Sequence, residues 1–141
     1  MNADPNDDNL ESTGAFSKDF LQEDEEGLNA DERAAIEALP SGHALLIVRR
    51  GYEEGSRFLL DADLTTVGRH PNADIFLDDV TVSRRHAEFT RSGKVFKVRD
   101  LASLNGTYYA GRRVDEATLE DGTDVQIGKF KLTFYSSEAD R

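Results

Sequence analysis

The chain has 141 residues, 38% hydrophobic and 32% charged, and its 28 acidic side chains outnumber 17 basic ones to give a formal net charge of −11. With no cysteine and only three histidines, disulfides, thiolate nucleophiles and cysteine-based zinc sites are excluded, and neither a metal nor another cofactor is expected. The acidic balance disfavours nucleic acid and anionic lipid, the amino terminus lacks the basic-then-apolar order of a signal peptide, and no run approaches the roughly 18 to 20 apolar residues of a membrane span; the expectation is a cytoplasmic protein without nucleic-acid or membrane partners.

Residues 1–42 carry twelve acidic side chains against Lys18 and Arg33, a net of −10, which leaves 43–141 at −1. A segment so self-repulsive and so poor in large apolar groups cannot offset the entropy of ordering, so 1–42 reads as an acidic, largely disordered tail. Two short stretches stand out within it. Phe16, Phe20 and Leu21 fall on one face of a helical turn or two, which could dock if a groove is offered. Asn29 followed three residues later by Glu32 is a capping pair opening a short spacer helix over 30–39, which Pro40 and Gly42 stop.

From Ala44 the pattern changes to short runs of Val, Ile, Leu, Phe and Thr punctuated by Gly, Asp and Asn. Strands are expected at 44–49, 56–60, 64–67, 75–77, 87–90, 95–100, 107–109, 124–127 and 131–135. The stretch from Lys94 to Arg99 alternates polar and apolar residues, as a strand with one face in a core should. Arg91-Ser92-Gly93 and Glu120-Asp121-Gly122 read as hairpin turns. About ten short strands without helical periodicity define an all-β sandwich.

Enzymatic readings find little support. Ser83 and His86, with Asp78 or Asp79, have the residue types of a nucleophilic triad, but Ser83 lacks the glycine-flanked strand-to-helix elbow of a hydrolase. Asp74, Asp78 and Asp79 lack the spacing and central glycine of a calcium loop, and a solvated acidic turn is the simpler reading. No P-loop, HExxH or strand-linked GxGxxG occurs, so the chain is not expected to be an enzyme.

Three clusters sit where predicted strands meet loops: Gly68-Arg69, Ser83-Arg84-Arg85-His86 and Ser103-Leu104-Asn105-Gly106-Thr107. If loops at one end of a sandwich bring them together, guanidinium groups, a hydroxyl and an amide converge, which suits a phosphate and the peptide backbone beside it. Gly-Arg, then Ser-x-x-His, then Asn-Gly at these spacings closely resembles the forkhead-associated (FHA) domain, over roughly Ala44 to Tyr135. The resemblance implies a sandwich of about eleven short strands that binds phosphothreonine peptides with its apical loops. It assigns Arg69 and Ser83 to the phosphate, Arg84 to an assisting role and Asn105 to the ligand backbone, with Gly68, His86 and Gly106 as structural support. The expected organisation is a regulatory tail over 1–42, the FHA domain over 43–136 and a C-terminal tail over 137–141.

His70-Pro71, the run from Asp74 to Phe89, and Val125-Gln126-Ile127-Gly128-Lys129-Phe130 further resemble a bacterial group, the glycogen accumulation regulators and oxoglutarate dehydrogenase inhibitors. That resemblance implies a tail phosphorylated by Ser/Thr protein kinases. It also implies that the unphosphorylated protein inhibits the E1 component of 2-oxoglutarate dehydrogenase and acts on glutamate-metabolising enzymes, such as glutamate dehydrogenase or glutamate synthase. Phosphorylation would close the tail on the domain and end the inhibition. The group's tail motif, Glu-Thr-Thr-Ser-Val-Phe-Arg, is matched in part by Glu11-Ser12-Thr13-Gly14-Ala15-Phe16-Ser17, so Thr13 is the expected phosphorylation site and Ser12 a less favoured one.

Thr13 is also the only threonine before Thr65, with Phe16 three residues after it, a position FHA domains commonly read. A flexible chain of about 30 residues spans about 30 Å, enough to reach across a small domain and present the tail at about millimolar effective concentration. The competing reading is an adaptor that recruits phosphothreonine proteins in trans, the tail being a spacer. A third is inhibition through a surface apart from the phosphate pocket.

Overall fold

The computed structural model describes residues 27–51 and 54–141. Ser12, Thr13, Phe16, Phe20 and Leu21 lie outside the described residues.

Helix α1 spans Ala30–Glu37. Its entry is a reciprocal capping box in which Glu32 N donates to Asn29 Oδ1 at 2.8 Å and Asn29 N donates to Glu32 Oε1 at 3.2 Å. Asp31 and Glu32 add negative charge where the helix dipole favours it. The helix closes before Leu39, whose position ahead of Pro40 disfavours a helical backbone; Leu39 N instead donates to Ile36 O in a tighter turn.

Residues Ile36–Arg141 form one unit with eleven strands: β1 (Ala44–Arg50), β2 (Arg57–Leu60), β3 (Leu64–Gly68), β4 (Ile75–Phe76), β5 (Ala87–Ser92), β6 (Val95–Asp100), β7 (Thr107–Tyr109), β8 (Arg112–Val114), β9 (Glu116–Thr118), β10 (Thr123–Ile127) and β11 (Phe130–Ser136). They make a six-stranded sheet, β2-β1-β11-β10-β7-β8, and a five-stranded sheet, β4-β3-β5-β6-β9. Every pairing is antiparallel except β3 with β4. This is the all-β sandwich expected from the sequence.

The alternation along β6 works as read: Phe96 and Val98 are buried while Val95, Lys97 and Arg99 are exposed. The core joins Leu46, Val48, Val125, Ile127, Leu132 and Phe134 of one sheet to Val67, Ala87, Phe89, Phe96 and Val98 of the other. The Phe96 and Phe134 rings meet across it with centroids 5.5 Å apart and planes tilted by 58°, a favoured aromatic geometry.

Three differences from the sequence reading have local causes. Strands β8 and β9 were not expected, because Arg-Arg-Val and Glu-Ala-Thr carry almost no apolar signal and are defined by their partners β7 and β6. The turn at Glu120-Asp121-Gly122 is not a hairpin: it carries the chain from β9 in one sheet to β10 in the other. The hairpin between β7 and β8 turns instead through Ala110 (φ 53°) and Gly111 (φ 82°), the paired positive values of a tight primed turn.

Residues 137–141, read as a C-terminal tail, begin at a buried Ser137 and form a 3-10 turn over Glu138–Asp140. Ser137 Oγ donates to Leu39 O at 2.9 Å, and Asp140 accepts from Gly42 N at 2.7 Å and from the Ser41 hydroxyl. No helix among the described residues is long and apolar enough to cross a membrane.

Candidate functional site

The loops that follow β3, β4 and β6 are stitched together at one end of the sandwich, and His86 is the central stitch. Its ring is wholly buried. Nδ1 accepts from Ser83 N at 3.0 Å, so Nε2 carries the proton and donates it to Gly106 O at 2.8 Å. Burial pushes the imidazole pKa down from 6.5, with the Gly106 bond and the charge of Asp100 opposing without prevailing. A neutral ring therefore ties the β4–β5 loop to the β6–β7 loop. It touches the backbone of Ser83 and not the hydroxyl, so the pair is arranged to hold a loop rather than to activate a nucleophile.

Gly68, the last residue of β3, has a steric reason to be glycine: a Cβ there would run into the carbonyl of Arg84. The close approach lets Arg69 N donate to Ser83 O and His86 N to Val67 O, both at 3.0 Å. Arg69 then fixes its side chain by donating from Nε to Val82 O at 3.1 Å. That bond uses one of five guanidinium N–H donors and leaves the two terminal nitrogens at the exposed end of the side chain. Ser83 Oγ accepts from Leu104 N at 3.0 Å, which leaves its O–H as a donor. Arg84 and its neighbour Arg85 are exposed.

The β6–β7 loop is braced from beneath by Asp100, which accepts from Ser103 N at 3.1 Å, from the Ser103 hydroxyl, and from Thr107 Oγ1 at 2.8 Å. Burial would raise the pKa of this carboxyl, but the hydrogen bonds from Ser103 and Thr107 outweigh it and the net shift is downward. Ser103 Oγ in turn accepts from Gly106 N at 2.9 Å. Gly106 has φ +86°, a backbone conformation that selects glycine, and the Arg113 side chain lies against it. Asn105 projects into solvent, with Nδ2 donating to Thr81 O at 2.9 Å.

Arg69, Ser83, Arg84 and Asn105 are thus carried by three interlocked loops, with Gly68, His86 and Gly106 beneath them. An exposed cluster of guanidinium, hydroxyl and amide donors on a hydrogen-bonded platform is suited to an anion flanked by polar chain. Open space adjoins Asn105 and Arg84. A recess of about 560 Å³ is lined by Thr81, Asn105, Gln126 and Lys129, and one of about 240 Å³ by Val67, His70, Arg84 and Leu101.

Two of the acidic residues considered as cation ligands, Asp74 and Asp79, have other employment. Asp74 Oδ2 accepts from Thr66 N at 2.9 Å, and Asp79 is not a solvated turn residue but binds Thr81 and Lys129. Residue-type reasoning passed over Thr81, Asp100 and Lys129, although Asp-x-Thr is the pattern of a local side-chain-to-backbone turn and was available as a signal.

The FHA domain model matches residues 65–128, and the chain belongs to the FHA family. Within that family it is 53% identical to the oxoglutarate dehydrogenase inhibitor of Corynebacterium jeikeium over 89% of this chain and 88% of that one. It is 54% identical to the glycogen accumulation regulator GarA of Mycolicibacterium smegmatis over 95% of this chain and 87% of that one. A solved structure from the structural and functional analysis of phosphothreonine-dependent FHA domain interactions superposes with a TM-score of 0.61 at 31% identity, covering 66% of this chain and 95% of that one.

Proposed function

We propose that this protein is a non-enzymatic, phosphothreonine-binding regulator of central metabolism in the cytoplasm. In its unphosphorylated form it inhibits the E1 component of 2-oxoglutarate dehydrogenase and modulates glutamate dehydrogenase or glutamate synthase. A Ser/Thr protein kinase switches it off by phosphorylating Thr13, which then occupies the protein's own FHA pocket. In this reading residues 1–42 are the regulatory tail and 43–136 the binding module. Arg69 and Ser83 grip the phosphate, Arg84 assists, and Asn105 holds the backbone beside the phosphothreonine.

The observation that carries the proposal is the platform itself, on which Arg69 and Ser83 are each fixed by a hydrogen bond and still present donors outward. The name of the Corynebacterium jeikeium relative, oxoglutarate dehydrogenase inhibitor, supports the choice of client. A phosphorylated threonine brings about −1.5 to −2 charges and three acceptor oxygens, which match this donor set. The test is inhibition of purified 2-oxoglutarate dehydrogenase complex by the chain before and after kinase treatment. Inhibition is expected to vanish on phosphorylation and to survive it in Thr13→Ala. Inhibition that persists in the phosphorylated wild type would overturn the switch. A chain that never inhibits but captures phosphothreonine proteins in trans would be an adaptor.

A further inference from the structure

Thr81 is gripped from three directions. Its carbonyl accepts from Asn105 Nδ2 at 2.9 Å. Its hydroxyl accepts from Lys129 N at 2.9 Å and donates to Asp79, whose Oδ2 also takes the Thr81 N–H at 2.9 Å. Lys129 Nζ then pairs with the other Asp79 oxygen, Oδ1, at 3.0 Å. Gly128 completes the fit, since a Cβ there would collide with the Thr81 side chain. A turn of the β4–β5 loop is thereby clasped between the β10–β11 turn and Asn105.

The side-chain bonds of the clasp are distinct from those of the anion grip, the two being joined through backbone where Val82 N donates to Asp79 O at 3.0 Å. Arg69 is fixed by the carbonyl of Val82, and Ser83 by the amide of Leu104 and the ring of His86. None of these bonds involves Asp79, Thr81 or Lys129. An exposed asparagine left alone samples several rotamers and loses that freedom on binding; one N–H committed to Thr81 O removes the loss in advance. The amide keeps a second N–H and its oxygen for a ligand backbone. Thr81, Asn105, Gly128 and Lys129 also line the 560 Å³ recess, so the clasp shapes the space next to Asn105 as well.

We propose that Asp79, Thr81 and Lys129 are positioning residues that preset Asn105 and its recess, and so govern affinity for the peptide around a phosphothreonine while leaving affinity for phosphate alone unchanged. This rests on the phosphothreonine-binding reading above. The Asp79 carboxyl has a side chain only 14% exposed, and its bonds to Thr81 and Lys129 hold it at about 2, so the clasp stays charged at neutral pH.

The test compares two probes on the full chain by NMR titration: inorganic phosphate, and a peptide of residues 8–18 phosphorylated at Thr13. Thr81→Val removes the hydroxyl and keeps the shape, Thr81→Ser restores it, and Asp79→Asn removes the charge. Thr81→Val and Asp79→Asn are expected to weaken the peptide about fivefold to thirtyfold and phosphate less than about twofold, with Thr81→Ser close to wild type. The Asn105 side-chain amide signals should move in Thr81→Val and Asp79→Asn and not in Thr81→Ser. Lys129→Met, which removes the ion pair and keeps the backbone donor, should weaken the peptide about twofold to fivefold and serves if Thr81→Val does not fold. Variants that bind the peptide as wild type does, or that lose peptide and phosphate by one common factor, would overturn the positioning role. A wild-type chain that binds neither probe would instead overturn the phosphothreonine reading, and the positioning role with it.

Discussion

His86 shows how one buried side chain can hold a site without entering it. Replacing it with alanine leaves the Ser83 N–H and the Gly106 carbonyl without their partners and opens a cavity, a loss of about 2 to 4 kcal/mol in urea denaturation. The same residue sets a pH dependence. Its pKa in the fold lies below 6.5, so between those values the unfolded chain binds the extra proton and the folded one does not. The stability His86 confers as a neutral ring is therefore complete above pH 6.5 and declines as pH falls towards the folded value. Asp79 and Asp100, whose pKa values are depressed from 3.8, lose their contribution as pH falls through and below 3.8. Denaturation at pH 7.5 and pH 5.5 checks this: the wild type should be less stable at the lower pH, and His86→Asn should show a smaller difference. Arg69→Lys is a complementary change, since lysine keeps the charge and loses the planar fork and the Nε anchor. Affinity for a phosphothreonine peptide should fall about tenfold to a hundredfold with little change in thermal stability.

At the scale of elements, the site depends on the end of β3 meeting the β4–β5 loop at van der Waals distance. Gly68→Ala pushes against backbone, which cannot swing aside as a side chain would, so a stability loss of about 1 to 3 kcal/mol together with weaker peptide binding is expected. Denaturation and peptide titration of the same variant read both. Sequence patterns exposed much of this layer. Phe96 and Val98 declared β6 by alternation, and Asn29 with Glu32 declared the helix entry. Strands β8 and β9 left no such trace, because three-residue runs with a single apolar side chain each acquire strand geometry only from a partner. The residues proposed to touch ligand were legible because Gly-Arg, Ser-x-x-His and Asn-Gly are a family pattern. The bracing beneath them was less so: Asp-x-Thr signalled only the local turn of Asp79 with Thr81, while the links of Asp79 to Lys129 and of Asp100 to Ser103 and Thr107 join residues whose types alone read as ordinary polarity. A hydrogen-bonded brace is a property of three-dimensional neighbours, and single-residue chemistry does not announce it.

For the whole molecule, charge is the organising asymmetry: twelve acidic residues in 1–42 stand against a near-neutral remainder that carries Arg69, Arg84 and Arg85. A phosphate at Thr13 adds to a tail already of opposite sign to the proposed site, so closure should weaken as ionic strength rises and screening shortens the reach of these charges. The most direct measurement is an amide NMR spectrum of the chain before and after treatment with a Ser/Thr protein kinase, recorded over a range of protein concentrations and with Thr13→Ala as control. The account predicts that phosphorylation shifts the amides of Arg69, Ser83, Arg84 and Asn105 identically at every concentration, and that Thr13→Ala shows no such shift. Phosphorylated Thr13 with those four amides unmoved would contradict it.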